Sequence, residues 1–192
     1  MESFYIEGKN LDKEDFEKIS LKKGEYEKCS FTNCNFYNSD LSEIIFLDCS
    51  FTACNLSMVR VKKATFNNVK FDDCKMLGIR FDTCNDFGLS VCFEKCILNH
   101  SSFFKKKIRK SAFNNSKLEE ADFTESDLSN ASFSNCDLSR AVFQNTILEG
   151  ADFRTSYNFS IDPDSNRLKK AKFSVYGLAG LLNKYNLIID MK

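Results

Sequence analysis

The chain has 192 residues and carries 27 Lys+Arg against 27 Asp+Glu, a formal net charge of zero, which excludes the strongly basic footprint of a dedicated nucleic-acid binder. Its length suits one domain. No basic and apolar leader opens it, and no apolar run approaches the roughly 20 residues of a membrane span, so a soluble cytoplasmic protein is expected.

From Leu11 to Phe81 every fifth residue is large and apolar, as in Tyr26, Phe31, Phe36, Leu41, Phe46 and Phe51. Two positions earlier sits a small residue, among them Cys29, Cys34, Cys49, Cys54, Ala64 and Cys74, and the remaining positions are mostly polar. A period of five fits neither a helix nor a flat alternating strand, so the fold is expected to be a solenoid. The pattern lapses between Phe81 and Phe93 by two residues, placed at 86–88, and then resumes from Phe93 to Phe153. At this insertion Phe87 or Leu89 must either fill the core, the favoured reading, or point outward. Residues 1–20 are expected to form an N-terminal cap and irregular first coil, because Lys9, Glu14 and Ile19 fail the small-residue rule. The repeat proper then covers 21–173, with a loosened last coil over 156–170 around Asp162-Pro163.

The units Ala121-Asp122-Phe123, Ser126-Asp127-Leu128, Cys136-Asp137-Leu138 and Ala151-Asp152-Phe153 resemble those of the pentapeptide-repeat family. That resemblance implies an all-β solenoid, a right-handed quadrilateral β-helix in which four pentads close each 20-residue coil. The sequence carries an independent test, because residues 20 apart should then stack. One side reads Phe31, Phe51, Phe71 and, past the insertion, Phe93, Phe113, Phe133, Phe153 and Phe173. About eight coils at roughly 4.8 Å make a rod of roughly 38 Å.

Beyond Phe173 the spacing becomes helical, with Val175, Leu178, Leu181, Leu182 and Tyr185 on one stripe and Ser174 as N-cap. An α-helix is expected over 174–185 and a short strand over 186–190. The helix should cover the end of its own rod, and its apolar stripe, as the resemblance implies, should also form a homodimer interface.

Candidate chemistry is sparse. Eight of nine cysteines fall at small inward positions and read as core filler, leaving Cys92 outside; Cys34, Cys54 and Cys74 form a line that offers no tetrahedral metal site. His100, the single histidine, reads as surface. No phosphate cradle or nucleophile elbow is present, so neither catalysis nor a metal or cofactor is expected. Charge is uneven along the chain. Lys105, Lys106, Lys107, Arg109 and Lys110 cluster, with Lys106 at an inward position that should distort its coil. The acids Glu119, Glu120, Asp122, Glu125, Asp127, Asp137, Glu149 and Asp152 outnumber the bases Lys117, Arg140 and Arg154 over 116–155, and are the candidate partner-binding surface. The layout resembles the quinolone-resistance branch of the family most, which implies a DNA mimic that binds DNA gyrase or topoisomerase IV. The alternative is a protein-interaction scaffold of another partner.

Overall fold

The computed structural model describes residues 4–190. Its backbone winds as a four-sided coil in which each side is a three- or four-residue strand or a single bridge. One side carries β1 (Tyr5–Glu7), β3 (Glu25–Glu27), β5 (Ile45–Leu47) and β7 (Thr65–Asn67). The next carries β2 (Asn10–Asp12), β4 (Ser30–Thr32), β6 (Ser50–Thr52), β8 (Val69–Asp72), β9 (Val91–Glu94), β10 (Ala112–Asn114) and β11 (Ser132–Ser134). All pairs are parallel and in the register the period dictates, such as Phe31↔Phe51 and Phe113↔Phe133. The other two sides are held by single parallel bridges such as Asn35↔Asn55 and Ser102↔Asp122. The seven strands of the longer sheet enclose six turns, and the bridges Ser132↔Asp152 and Asp152↔Lys172 carry its column two rungs further.

The core is the stack of large side chains. Phe31, Phe51, Phe71, Phe93, Phe113, Phe133 and Phe153 are all buried, and successive rings stack nearly parallel, 4.9 Å apart for Phe113–Phe133 and 5.1 Å for Phe93–Phe113. Neighbouring sides meet edge to face, as Phe103 and Phe113 do at 5.7 Å and 90°. Such pairs add to the burial of large apolar area.

Most corners turn on a left-handed residue two places after the large one, for example Asn33, Asn38, Asp48, Asn115, Asn130 and Asn135, all at φ near 55°. Asn and Asp tolerate this conformation better than most residues. Where the corner is Gly150, a Cβ would meet Asn130 Oδ1 at 2.5 Å, so both the backbone and the neighbouring coil require glycine there.

The ladder starts at Tyr5, in register with Glu25, and the first coil is regular over 5–12; beyond the bridge at Asp15 it leaves the repeat, with Lys18 N and Ile19 N both donating to the Asp15 carbonyl. The insertion falls where the period lapses. Val69 pairs with Val91, 22 residues on, and the β1-β3-β5-β7 sheet ends there. The side resumes as Lys107↔Asp127, Asp127↔Ile147 and Ile147↔Arg167. Leu89 turns inward and is buried while Phe87 is 92% exposed. Of the two residues that could fill the core at this insertion, Leu89 does so and Phe87 points outward.

The C-terminal helix is 3-10 and not α, in two pieces, Val175–Leu181 and Asn183–Tyr185. Ser174 caps it as expected, its Oγ accepting from Gly177 N at 3.2 Å. Gly177 and Gly180 lie flat on Phe159, where a Cβ on Gly180 would come within 2.4 Å of the Phe159 carbonyl oxygen. This close seating, with two weak helix formers in one short segment, replaces the wider α turn. Residues 186–190 form no strand; Asn186 is left-handed and turns the chain away.

Candidate functional site

Most polar residues of a pentad point outward, with Lys106 and small hydroxyls such as Ser116, Ser126 and Thr146 the buried exceptions, so the surface is a set of columns at rung spacing whose chemistry is decided by what lies 20 residues away. The eight acids do not form one stripe. Glu119 and Asp137 sit on the side of Leu118 and Leu138, Asp122 on that of Phe103 and Phe123, Asp127 and Glu149 on the insertion side and Asp152 on the Phe113 side, with Glu120 and Glu125 at corners. Most are neutralised by a base from a neighbouring coil. Arg140 reaches both Glu119 and Glu120, His100 Nδ1 lies 3.0 Å from Glu120, and Lys105 pairs with Glu125. Arg109 and Arg167 pair with Asp127 and Glu149 at 2.7 and 2.8 Å, and Arg154 with Asp152.

Among these acids, Asp127 and Asp137 are shifted by their surroundings. Burial alone would raise Asp127, yet Arg109 and the Ser129 hydroxyl and amide outweigh it and hold the carboxyl below the usual range. Asp137 is also lowered; burial opposes ionisation, and Ser139 and Asn158 donate to the carboxylate. Asp122 accepts the Thr124 amide at 2.9 Å. Asp127 and Asp137 therefore stay ionised to lower pH than an ordinary carboxyl, and Asp127, paired with Arg109, projects little negative field.

Of the basic cluster, Lys105, Lys107, Arg109 and Lys110 are exposed and Lys106 is buried. The coil accommodates Lys106 without losing its inward position. The side chain runs beneath the insertion and its Nζ donates to the Cys84 carbonyl at 2.8 Å and to Asp86 Oδ1 at 2.5 Å. A buried ammonium thus ties down the bulge that presents Phe87, with Gly88 left-handed at its far end.

Eight cysteines are buried and Cys92 is half-buried. Each stacked thiol donates to the carbonyl of the coil below, as Cys54 does to Phe31 O at 3.3 Å and Cys136 to Phe113 O at 3.0 Å. Burial pushes Cys34 and Cys49 up to about 11 and Cys84 and Cys136 up to about 12. Thiols so held are poor nucleophiles. In the native protein a maleimide is expected to label Cys92 first and few other sites, read by intact-mass spectrometry; rapid labelling of most thiols without denaturant would sink the buried assignment. Among the described residues no three His, Cys, Asp or Glu side chains converge as a metal site requires.

The C-terminal end is the other exposed apolar surface. Val175, Tyr176, Leu178 and Tyr185 are exposed, with Leu181 and Leu182 half-buried beneath them. Lys184 pairs with Asp162 at 2.6 Å and also with Asp164, anchoring this end to the Asp162-Pro163 turn.

Two family models match the chain, the pentapeptide repeat region over residues 24–87 and pentapeptide repeats (8 copies) over 116–154. No curated protein matches it in sequence. Two solved structures of trypsin-treated variants of QnrB1, a plasmid-mediated fluoroquinolone resistance protein, share its fold. Each covers 98% of both chains at a TM-score of 0.66, with 17% identity in one case and 18% in the other.

Proposed function

We propose that this chain, which belongs to the pentapeptide-repeat family, is a non-enzymatic binding rod of the cytoplasm whose partner is another protein, the first candidate being a type II topoisomerase. The observation that carries the binding role is the stack itself: four sides, one of them broken by the bulge, repeat outward side chains at roughly 4.8 Å and make a stiff, extended surface. The topoisomerase reading draws on the resemblance to the quinolone-resistance branch and on the matching extent of the rod. Among the described residues no helix is long and apolar enough to cross a membrane. The test is a gyrase supercoiling assay with and without a quinolone, alongside direct binding of purified gyrase. Protection or inhibition at stoichiometric protein supports this partner, and no binding at tens of micromolar removes it.

A second reading, a scaffold for a partner that is not a DNA-binding enzyme, is favoured by the dispersal and pairing of the acids. Electrostatic mimicry of duplex DNA needs a strong negative field to steer the rod into a basic groove, and here Arg109, Arg140, Arg154 and Arg167 oppose it. Under this reading gyrase activity is unchanged while the rod still binds its own partner.

Both readings include a homodimer through the C-terminal end, where Val175, Leu178, Leu181, Leu182 and Tyr185 supply the contact. Leu182→Glu is expected to convert a dimer of roughly 80 Å length to a monomer, measured by sedimentation velocity. Sedimentation of the unaltered protein as a monomer at micromolar concentration would remove the dimer. Aggregation of the variant would assign Leu182 to capping its own rod instead.

A further inference from the structure

The side of the rod that carries the insertion has nine rungs, four on each side of the bulge: β1, β3, β5 and β7 before it, and the bridges at Lys107, Asp127, Ile147 and Arg167 after it. Phe87 stands at the middle rung, 92% exposed on a bulge fixed from beneath by Lys106. The two halves differ in sign. The first half presents Glu7, Glu25 and Glu27 against Lys28. The second presents Lys107, Arg109, Arg167 and Lys169 against Asp127 and Glu149, both of which are already paired.

We propose that this side is an interface for a second copy of the chain, laid antiparallel about a two-fold axis through the bulge. That axis sets the net negative half of each copy against the net positive half of the other, with opposite charges meeting at the rung of Glu7. It sets the rung of Glu7 against the partner's rung of Arg167 and Lys169, and the rung of Thr65 and Asn67 against that of Lys107 and Arg109. Glu149, which falls opposite Glu25 and Glu27, is neutralised by Arg167. The two Phe87 rings meet on the axis, and the gap they hold open suits long Glu, Lys and Arg side chains. A face of roughly 38 Å by 10 Å buries roughly 800 Å² in total, the size of a weak interface. Association is therefore concentration-dependent and sensitive to salt. It uses a surface separate from the C-terminal end, so either contact can exist without the other.

The test places a reactive thiol at Asn67 in a Cys92→Ser background of the full chain and applies a short bis-maleimide. In the antiparallel pair the two positions at 67 lie two rungs apart, roughly 10 Å, whereas in rods joined end to end they are more than about 48 Å apart. A covalent dimer is expected at low salt and at protein concentrations of tens of micromolar. It should fall severalfold at about 1 M salt, where the screening length is about 3 Å, and be lost in Phe87→Asp. Lys169→Glu should weaken it and Glu7→Lys added to Lys169→Glu should restore it. No cross-link at any concentration, or a cross-link indifferent to salt, to Phe87→Asp or to Lys169→Glu, overturns the proposal.

Discussion

Phe113→Ala is expected to destabilise the protein by about 3–5 kcal/mol, against less than about 0.5 kcal/mol for Gln144→Ala on the same rod. Phe113 has no exposed surface and touches four rings: Phe93 and Phe133 stacked above and below, Phe103 and Phe123 edge-on. Its removal opens a cavity that the rungs cannot close, because every backbone position around it is fixed by pairing, as in Ala112↔Cys92 and Ala112↔Ser132. A short or flexible core would relax into the space; a ladder will not. Urea denaturation of the two variants beside the parent measures the difference. Equal midpoints would mean that Phe113 is not an element of a continuous stack.

The repeat was legible because one physical constraint recurs at every coil. A side must bury one large and one small residue, and the next coil repeats the demand 20 residues later. Periodicity therefore yielded the stacking partners of Phe31 through Phe153, the inward cysteines and the site of the two-residue insertion. The same arithmetic applied to charged residues would have found Glu120–Arg140, His100–Glu120 and Lys105–Glu125, each 20 apart. Counting acids along 116–155 concealed them, since nearness along the chain is not nearness on a coil. What periodicity could not reach lies where the coils stop repeating. The 3-10 form of the C-terminal helix depends on how closely Gly177 and Gly180 seat on Phe159, and whether Phe87 or Leu89 goes inward depends on the room left in one coil.

The corners add a constraint that a polar or apolar reading does not see. Asn130 reads as an indifferent exposed position, yet it sits at φ 59° beside Gly150. Replacing it by Ala carries part of the roughly 1–2 kcal/mol that a Cβ pays in left-handed backbone, which is why Gln144, outside the corner set, is the proper neutral control. The many Asn at these corners suit the left-handed backbone, which Lys, Glu, Ala53 and Met58 also adopt at the same place in the repeat, and need no role in binding.

Asp86→Ala is expected to cost more than Lys106→Met, although Asp86 is exposed and Lys106 is buried. The Lys106 side chain is 5% exposed and that of Asp86 79% exposed. Removing the carboxylate leaves the ammonium in the core with the Cys84 carbonyl as its remaining named acceptor. Breaking a fully buried pair in this way costs about 3–5 kcal/mol; with the carboxylate in contact with water the cost is discounted to about 2–3 kcal/mol. Lys106→Met keeps the unbranched stem in its slot and removes the charge that had to be desolvated, so its effect should lie within about 1 kcal/mol of the parent in either direction. Both changes release the bulge from below, and both should raise amide exchange and proteolysis at Phe87 and Gly88 while the Phe113 column stays protected. If Lys106→Met proved the costlier change, the ammonium would owe its place to something other than Asp86. If neither change loosened the bulge, Phe87 would be held by its own backbone, and the ion pair would have no part in presenting it.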